Sequence, residues 1–232
     1  MSNSASDSSA TGGITLYNYF RSSASYRVRI AFELKGLKYD YVPIHLTRGG
    51  GEQFASSYAE VNPENLVPTF VDAGGSVITQ SLAIIEYIDE TYPEPALLPG
   101  SAEDRAYVRS IANLIACDIH PVDNLRVLGY LKNSLNVTDE QRSAWYRHWV
   151  EQGFNALESH LARESRPGGR AGALCFGDLP TLADLCLVPQ VFNAKRMQVP
   201  LDNYPTILRI AETASAIPAF ERASPARQID SE

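Results

Sequence analysis

Arg21-Ser22-Ser23-Ala24-Ser25-Tyr26-Arg27-Val28-Arg29-Ile30-Ala31 follows a short apolar run, Ile14-Thr15-Leu16-Tyr17. The run reads as a strand, and Ser25–Leu34 has the apolar spacing of a helix. A strand that turns straight into a helix places the Ser22 and Ser23 hydroxyls at the helix N-terminus. There the first backbone N–H groups lack intrahelical partners, and the positive end of the dipole favours an anion. The same two serines also suit plain N-capping. Arg21 stands just before the helix and is placed to face such an anion.

Working outward, Gly36 stands where a helix C-cap would fall. Tyr39–Leu46 is rich in β-branched and aromatic residues and reads as a second strand. Arg48–Gly51 reads as a loop and Gln53–Val61 as a short irregular helix. Thr69–Asp72 and Val77–Thr79 flank Ala73-Gly74-Gly75-Ser76 and read as a hairpin. Ser81–Tyr92 carries Leu82, Ile85 and Ile88 on one helical face and stops at Pro93. The order β-α-β-α-β-β-α predicts a mixed sheet with helices on its faces. Pro95–Asp104 reads as a linker. Beyond it strand signals almost vanish: Ala106–Leu131, Asp139–Leu161, Leu182–Met197 and Ile207–Ala216 all have helical spacing. The expected fold class is therefore α/β plus all-α. The domains are 14–98 and 105–228, behind a flexible tail at 1–13, and no internal repeat is visible.

The chain has 232 residues, 44% of them hydrophobic, and a formal net charge of -7. That balance supports packed domains and argues against a nucleic-acid binder, which needs a basic face. An anionic substrate would have to be drawn by local arginines. Cys117, Cys175 and Cys186 form no CxxC or Cys/His pattern, so no metal site is expected. Their odd, sparse count fits a reducing compartment, and the expected location is cytoplasmic. No apolar run approaches membrane-spanning length, and residues 1–13, five of them serine, lack the apolar core of a secretory signal.

Two dipeptides add weak signals. Val67-Pro68 precedes the third strand, where proline is tolerated, and alone it reads as an ordinary trans proline. A cis bond would turn the Val67 N–H and C=O outward, as a partner for a bound peptide backbone. Gln80-Ser81 opens a helix, so Ser81 reads as a cap that could also hold a carboxylate.

Taken together, these residues resemble a known family. Ser22-Ser23-x-x-x-Arg27-Val28-Arg29-Ile30-Ala31, Val67-Pro68 and Gln80-Ser81-Leu82-Ala83-Ile84-Ile85-Glu86-Tyr87 look like the glutathione-transferase fold. More narrowly they resemble its zeta class, the maleylacetoacetate and maleylpyruvate isomerases. The likeness continues through Asp118-Ile119-His120-Pro121-Val122-Asp123-Asn124-Leu125-Arg126 and Gly177-Asp178-Leu179-Pro180-Thr181-Leu182-Ala183-Asp184, reaching about Gln228. It implies a thioredoxin-like N-terminal domain, a helical C-terminal bundle, glutathione as cofactor, a homodimer and a role in aromatic-compound breakdown. It also implies a cis Val67-Pro68 bond. Carried over, Ser22 and Ser23 would activate the glutathione sulfur and Val67 with Pro68 would pair with its cysteinyl backbone. Gln80 and Ser81 would hold the γ-glutamyl carboxylate, and Gln53 the glycyl end. His120, Asn124 and Arg126 would line the site from the helical domain. Arg21, Arg126 and Arg196 are the candidates for a dicarboxylate substrate, since arginine binds carboxylates with a rigid fork.

The implied chemistry is thiolate addition to a conjugated cis double bond, rotation, and elimination to the trans alkene, with glutathione recovered. One departure stands out: Ala24 occupies a position where many zeta-class chains carry cysteine. That puts reductive dehalogenation in doubt and leaves isomerisation untouched. The alternatives are a general glutathione transferase or α-haloacid dehalogenase, and a non-catalytic glutathione-binding module.

Other residues have plainer readings. Arg27 and Arg29 lie two apart and face different sides, Arg29 within reach of Glu33 on the surface; both read as structural or interfacial. Thr181-Leu182-Ala183-Asp184 reads as a capping box. Trp145 and Trp149, at i and i+4, read as core. The three cysteines read as small buried hydrophobes. His45, His148 and His160 read as structural or surface.

Overall fold

Strand β1 (Thr15–Asn18) enters helix α1 (Ser23–Lys35) through a tight turn, with the Ser22 N–H bonded to the Tyr19 carbonyl. Ser22 is extended (φ -68°, ψ 122°) and is the N-cap, its Oγ accepting from the Ser25 N–H at 3.2 Å. Gly36 ends the helix at φ 65°, the left-handed conformation that a side chain would disfavour. The computed structural model describes residues 13–232. The expected tail lies outside them apart from Gly13.

The sheet has the order β2-β1-β3-β4. β2 (Asp40–Pro43) runs parallel to β1, with Thr15 opposite Asp40. β3 (Thr69–Val71) lies antiparallel to β1, and β4 (Val77–Thr79) closes the hairpin. Asp72 shapes the hairpin turn by accepting from the Gly74 and Ser76 N–H groups. The second strand is shorter than Tyr39–Leu46: its last ladder bond runs from the Ile44 N–H to the Asn18 carbonyl, where β1 itself ends. The segment expected to be one irregular helix is split. A 3-10 turn at Glu52–Phe54 precedes helix α2 (Ser56–Ala59). Helix α3 (Ser81–Thr91) buries Ile84, Ile85 and Ile88, while Leu82 is only half-buried. Gln80 holds the N-cap position, so Ser81 is the first helical residue and not the cap.

Helix α4 (Ala102–Asn113) begins inside the expected linker, under a capping box of Ser101 and Asp104. The long helix read over Ala106–Leu131 is broken. After α4 comes a π-helical stretch, Leu114–Ile119, then α5 (His120–Asp123) and α6 (Leu125–Asn133). Asn124, extended at ψ 163°, ends one helix and caps the next, its Oδ1 accepting from the Val127 N–H. Helices α7 (Asp139–Glu164), α8 (Leu182–Arg196), α9 (Pro205–Ser215) and α10 (Pro218–Ala223) complete the bundle. One apolar cluster runs through both halves, from Leu16, Phe32 and Phe70 to Phe154, Leu187 and Phe220.

Both arginines of α1 are structural, and Arg29 corrects the surface pairing with Glu33. Arg29 is fully buried, not paired with Glu33, which meets Arg222 instead. Its guanidinium donates to the Tyr19, Phe20 and Ala223 carbonyls and to Asn18 Oδ1, at 2.8–3.3 Å. It therefore locks the turn before α1 against α10. Arg27 is 1% exposed and donates to Ser81 Oγ. Cys117 is exposed, against expectation, while Cys175 and Cys186 are buried. Trp145 and Trp149 are only half-buried, and Trp145 Nε1 donates to the Val122 carbonyl, tying α7 to α5.

Candidate active site

The site gathers where the start of α1 meets α8. The Ser23 and Ala24 N–H groups have no acceptor among the described residues. They form the open, electropositive end of a 13-residue helix. Ser22 is half-buried above them, whereas Ser23 is 4% exposed and faces α8. Asn193 on α8 donates from Nδ2 to Ser23 Oγ at 2.9 Å. Arg21 is exposed, donates to Tyr19 Oη at 3.1 Å and covers the Phe20 ring.

Val67 and Pro68 are joined by a cis bond, as the family likeness implied. The Val67 N–H and C=O have no partner among the described residues, so they are free for an incoming backbone. A second cis bond, Glu94-Pro95, gave no sequence signal. Gln80 sits at φ 68°, a costly conformation for a residue other than glycine. Its Nε2 donates to Glu64 Oε2 at 2.6 Å, and Thr79 Oγ1 donates to the other Glu64 oxygen. Gln53 is buried; Nε2 reaches the Leu46 carbonyl and Oε1 lacks a partner. A side chain at Gly51 (φ 112°) would strike the Gln53 amide at 2.6 Å, so the glycine clears space for it.

From the helical side, His120 is half-buried; desolvation and the nearby Arg27 charge push its pKa down to about 3, so the ring is neutral. Arg27 Nε and Nη2 have no partner among the described residues, an orphaned cation beside Ser81. Arg126 is exposed and forms no hydrogen bond or ion pair there either. Asn124 spends its carbonyl oxygen on the α6 cap. Arg196 is exposed at the end of α8, its Nε 3.4 Å from Asn193 Oδ1. Desolvation lowers its pKa, and Arg21 adds like-charge repulsion. Neither Arg21 nor Arg196 forms an ion pair among the described residues.

Asp123 is 6% exposed with both oxygens unpartnered, and burial pushes its pKa up to about 8. The unfolded carboxyl titrates near pH ~4. The folded state therefore keeps a proton that the unfolded chain releases between those values. The native state is favoured below about pH 4 and loses that advantage as pH rises towards 8. Asp123→Asn, neutral throughout, should gain on the wild type by about 2 kcal/mol between pH 6 and 7.5. Urea unfolding at both pH values checks this; parallel curves would place the carboxyl's titration outside that window.

Asn193, Glu64 and Asp123 were not singled out from the sequence. Asn193 stands three residues before Arg196, on the same helix face, and that spacing was the available signal. Also unforeseen, Asp230 accepts from the Phe20 N–H and from Tyr41 Oη, bracing the turn before Arg21 from the far end of the chain. A concavity of about 430 Å³ between α4 and α7 shares no residue with this site. Its charges pair among themselves, Arg170 with Glu103 and Arg163 with Glu164.

Residues 16–96 match the glutathione S-transferase N-terminal domain. A probable maleylacetoacetate isomerase of Vibrio cholerae is 47% identical, over 94% of this chain and 98% of its own. The chain belongs to the maleylacetoacetate isomerase family of glutathione transferases. A solved holo structure of maleylpyruvate isomerase, a bacterial zeta-class glutathione transferase, superposes with a TM-score of 0.88. It is 44% identical and covers 94% of this chain and all of its own. A maleylacetoacetate isomerase of Methylobacterium extorquens, solved with malonate and glutathione bound, also gives 0.88, at 35% identity over 94% of this chain and 99% of its own. The sheet half and the helical half meet where α1, which starts at Ser22 and Ser23, packs on α8. No described helix is long and apolar enough to cross a membrane.

Proposed function

We propose that this chain is a glutathione-dependent cis–trans isomerase of maleylacetoacetate or maleylpyruvate, acting in aromatic-compound catabolism as a cytoplasmic homodimer. The observation that carries the reading is the open N-terminus of α1, where the Ser23 and Ala24 N–H groups lack acceptors, with Arg21 just before it and Arg196 linked to it through Asn193. Two guanidinium groups that form no ion pair among the described residues suit a substrate with two carboxylates. A scaffold or storage protein has no need of them.

The residues fit glutathione on their own chemistry. Val67 offers a free backbone pair, and Gln53 Oε1 is a buried acceptor that still lacks a donor. The orphaned Arg27 guanidinium supplies positive charge behind Ser81, where a γ-glutamyl carboxylate would lie next to the α3 N-terminus. Gln80, fixed by Glu64, faces the same carboxylate. We divide the chain at 14–98 for this half and 105–228 for the substrate half. When bound, glutathione supplies the nucleophilic sulfur that adds to the double bond and later leaves.

The protein's part is electrostatic. The Ser22 hydroxyl and the Ser23 and Ala24 N–H groups stabilise a thiolate over a thiol. Arg21, Arg126 and Arg196 clamp the substrate carboxylates and stabilise negative charge as it spreads through the conjugated system. His120 and Asn124 line the helical wall, and the neutral His120 ring serves as a hydrogen-bonding group without titrating near pH 7. Ala24 offers no sulfur, so thiol exchange with the protein has no nearby partner at that position.

Ultraviolet absorbance of each keto acid, followed with and without catalytic glutathione, tests the reading. Isomerisation with the thiol recovered is expected. Stoichiometric thiol consumption would mean conjugation, and bound glutathione without turnover a binding module. Light scattering checks the dimer.

A further inference from the structure

We infer that Asn193 is a positioning residue for the isomerisation, joining the thiol end of the site to its carboxylate end. The inference deepens the proposed function and rests on it. Its amide spans two elements from different halves of the chain. Nδ2 donates to Ser23 Oγ at the start of α1, and Oδ1 accepts from Arg196 Nε at the end of α8. The second contact fixes the orientation of the first. An arginine Nε is only ever a donor, so the amide oxygen must face it and the NH2 must face Ser23.

The consequences differ at the two ends. Ser23 Oγ is occupied as an acceptor by Asn193, so its own hydrogen is left for another acceptor. An anion drawn to the free Ser23 and Ala24 N–H groups at the same helix end would take it. The hydroxyl is 4% exposed, and without Asn193 it would be free to turn towards neighbouring backbone carbonyls. At the other end, the Oδ1 contact is long at 3.4 Å and loosely holds an exposed guanidinium that no acidic residue anchors. Orientation matters there because a carboxylate is gripped by the rigid fork and not by point charge alone. Without the Asn193 contact, Arg196 keeps no hydrogen bond among the described residues to fix that orientation.

Two substitutions separate these roles. Asn193→Ala removes both contacts; Asn193→Asp keeps an acceptor for Arg196, removes the donor to Ser23 and adds negative charge beside the thiol site. The first readout is the thiolate absorbance of the enzyme–glutathione complex, titrated against pH without substrate. The second is the KM for maleylacetoacetate. Asn193→Ala is expected to cut the thiolate fraction at neutral pH about threefold and raise KM about tenfold. Asn193→Asp is expected to cut the thiolate fraction about tenfold, through like charge, while KM stays within about twofold of wild type. In a Ser23→Ala background the effect of Asn193→Ala on the thiolate should vanish. Thiolate titration and KM unchanged in both variants would overturn the inference. So would an equal loss in both variants with the thiol pKa unmoved, since that is a packing defect. If Asn193→Ala does not fold, the charge-neutral Asn193→Ser, whose side chain is too short to span both partners, replaces it with the same expected shifts. A wild type that binds glutathione without ionising it, or does not isomerise, overturns the function itself. A wild type that does both, alongside silent Asn193 variants, overturns only the positioning role.

Discussion

Asp184→Ala should destabilise the protein by about 3–5 kcal/mol, among the largest losses available to a single substitution. Asp184 is fully buried at the start of α8. One carboxylate oxygen accepts from Thr181 N–H and Oγ1, at 2.9 and 3.0 Å, and the other from the Cys175 N–H at 2.9 Å. Burial raises its pKa, against the pull of those hydrogen bonds, so the group itself costs free energy to place there. Its removal is nonetheless harmful, because two buried backbone donors and a hydroxyl lose their only acceptor, at about 1–3 kcal/mol for each orphaned group. α8 packs against α1, α4 and α9, so a frayed start disturbs the seam between both halves. The apolar cluster is continuous across that seam, which favours one cooperative transition. Thermal unfolding should fall by about 10 °C. Asp184→Asn, which keeps one acceptor oxygen and the volume, should recover about half of the loss. A drop under about 1 kcal/mol would reduce Asp184 to an ordinary surface-type cap.

How much of this was legible in the sequence depends on the range of the interaction. The β1–α1 junction, the Gly36 stop and the β3–β4 hairpin are written locally, in a β-branched run, a left-handed glycine and an Asp-x-Gly turn. The Thr181–Asp184 contact, three residues apart, was legible for the same reason. The break after Asn113 was not. Apolar residues keep helical spacing through Leu131, and the sequence pattern does not register that a π-helical stretch shifts the face by a fraction of a turn. The burial of Arg29 was hidden for a different reason. The partners that make Arg29 acceptable in the interior include the Ala223 carbonyl, 194 residues away, and a charge with i,i+4 access to Glu33 looks like a surface pair until that partner is seen.

The site divides along the same line. Ser22, Ser23, Val67-Pro68 and Gln80-Ser81 stand on local turns and helix starts, and their roles could be carried over by motif. Asn193 meets Ser23 across 170 residues, and the need for it arises only once α8 has docked on α1. Glu64, which holds Gln80, belongs to the loop ahead of β3 and had no motif of its own. Asp123 lies within the Asp118–Arg126 stretch, but nothing in the sequence says that both of its oxygens will be sealed from solvent without a donor.

Ser22→Ala should lower kcat/KM for isomerisation by about 10²–10³, and Ser23→Ala by only about tenfold. The difference follows from exposure. Both hydroxyl oxygens already accept one hydrogen bond, Ser22 from the Ser25 N–H and Ser23 from Asn193, so each has a hydrogen to give. Ser22 is half-buried and open to a ligand, whereas Ser23 is turned into the seam with α8. A donor that contacts a thiolate must be reachable by it, and Ser22 caps the same helix end whose N–H groups attract the charge. Ser22→Ala also removes the α1 cap, which should cost about 1 kcal/mol of stability. Glycine in its place would leave the cap nearly intact, by a few tenths of a kcal/mol, while still deleting the hydroxyl. Ser22→Gly therefore separates the two effects: activity should fall as far as in Ser22→Ala while the unfolding temperature stays close to wild type. The loss should appear in kcat more than in the KM for the keto acid, because the arginines are untouched, and the bound thiol should titrate at higher pH. If Ser23→Ala instead produced the larger fall with its thiol pKa raised, the sulfur would lie deeper, against α8, and Asn193 would be one hydrogen bond from the reacting atom.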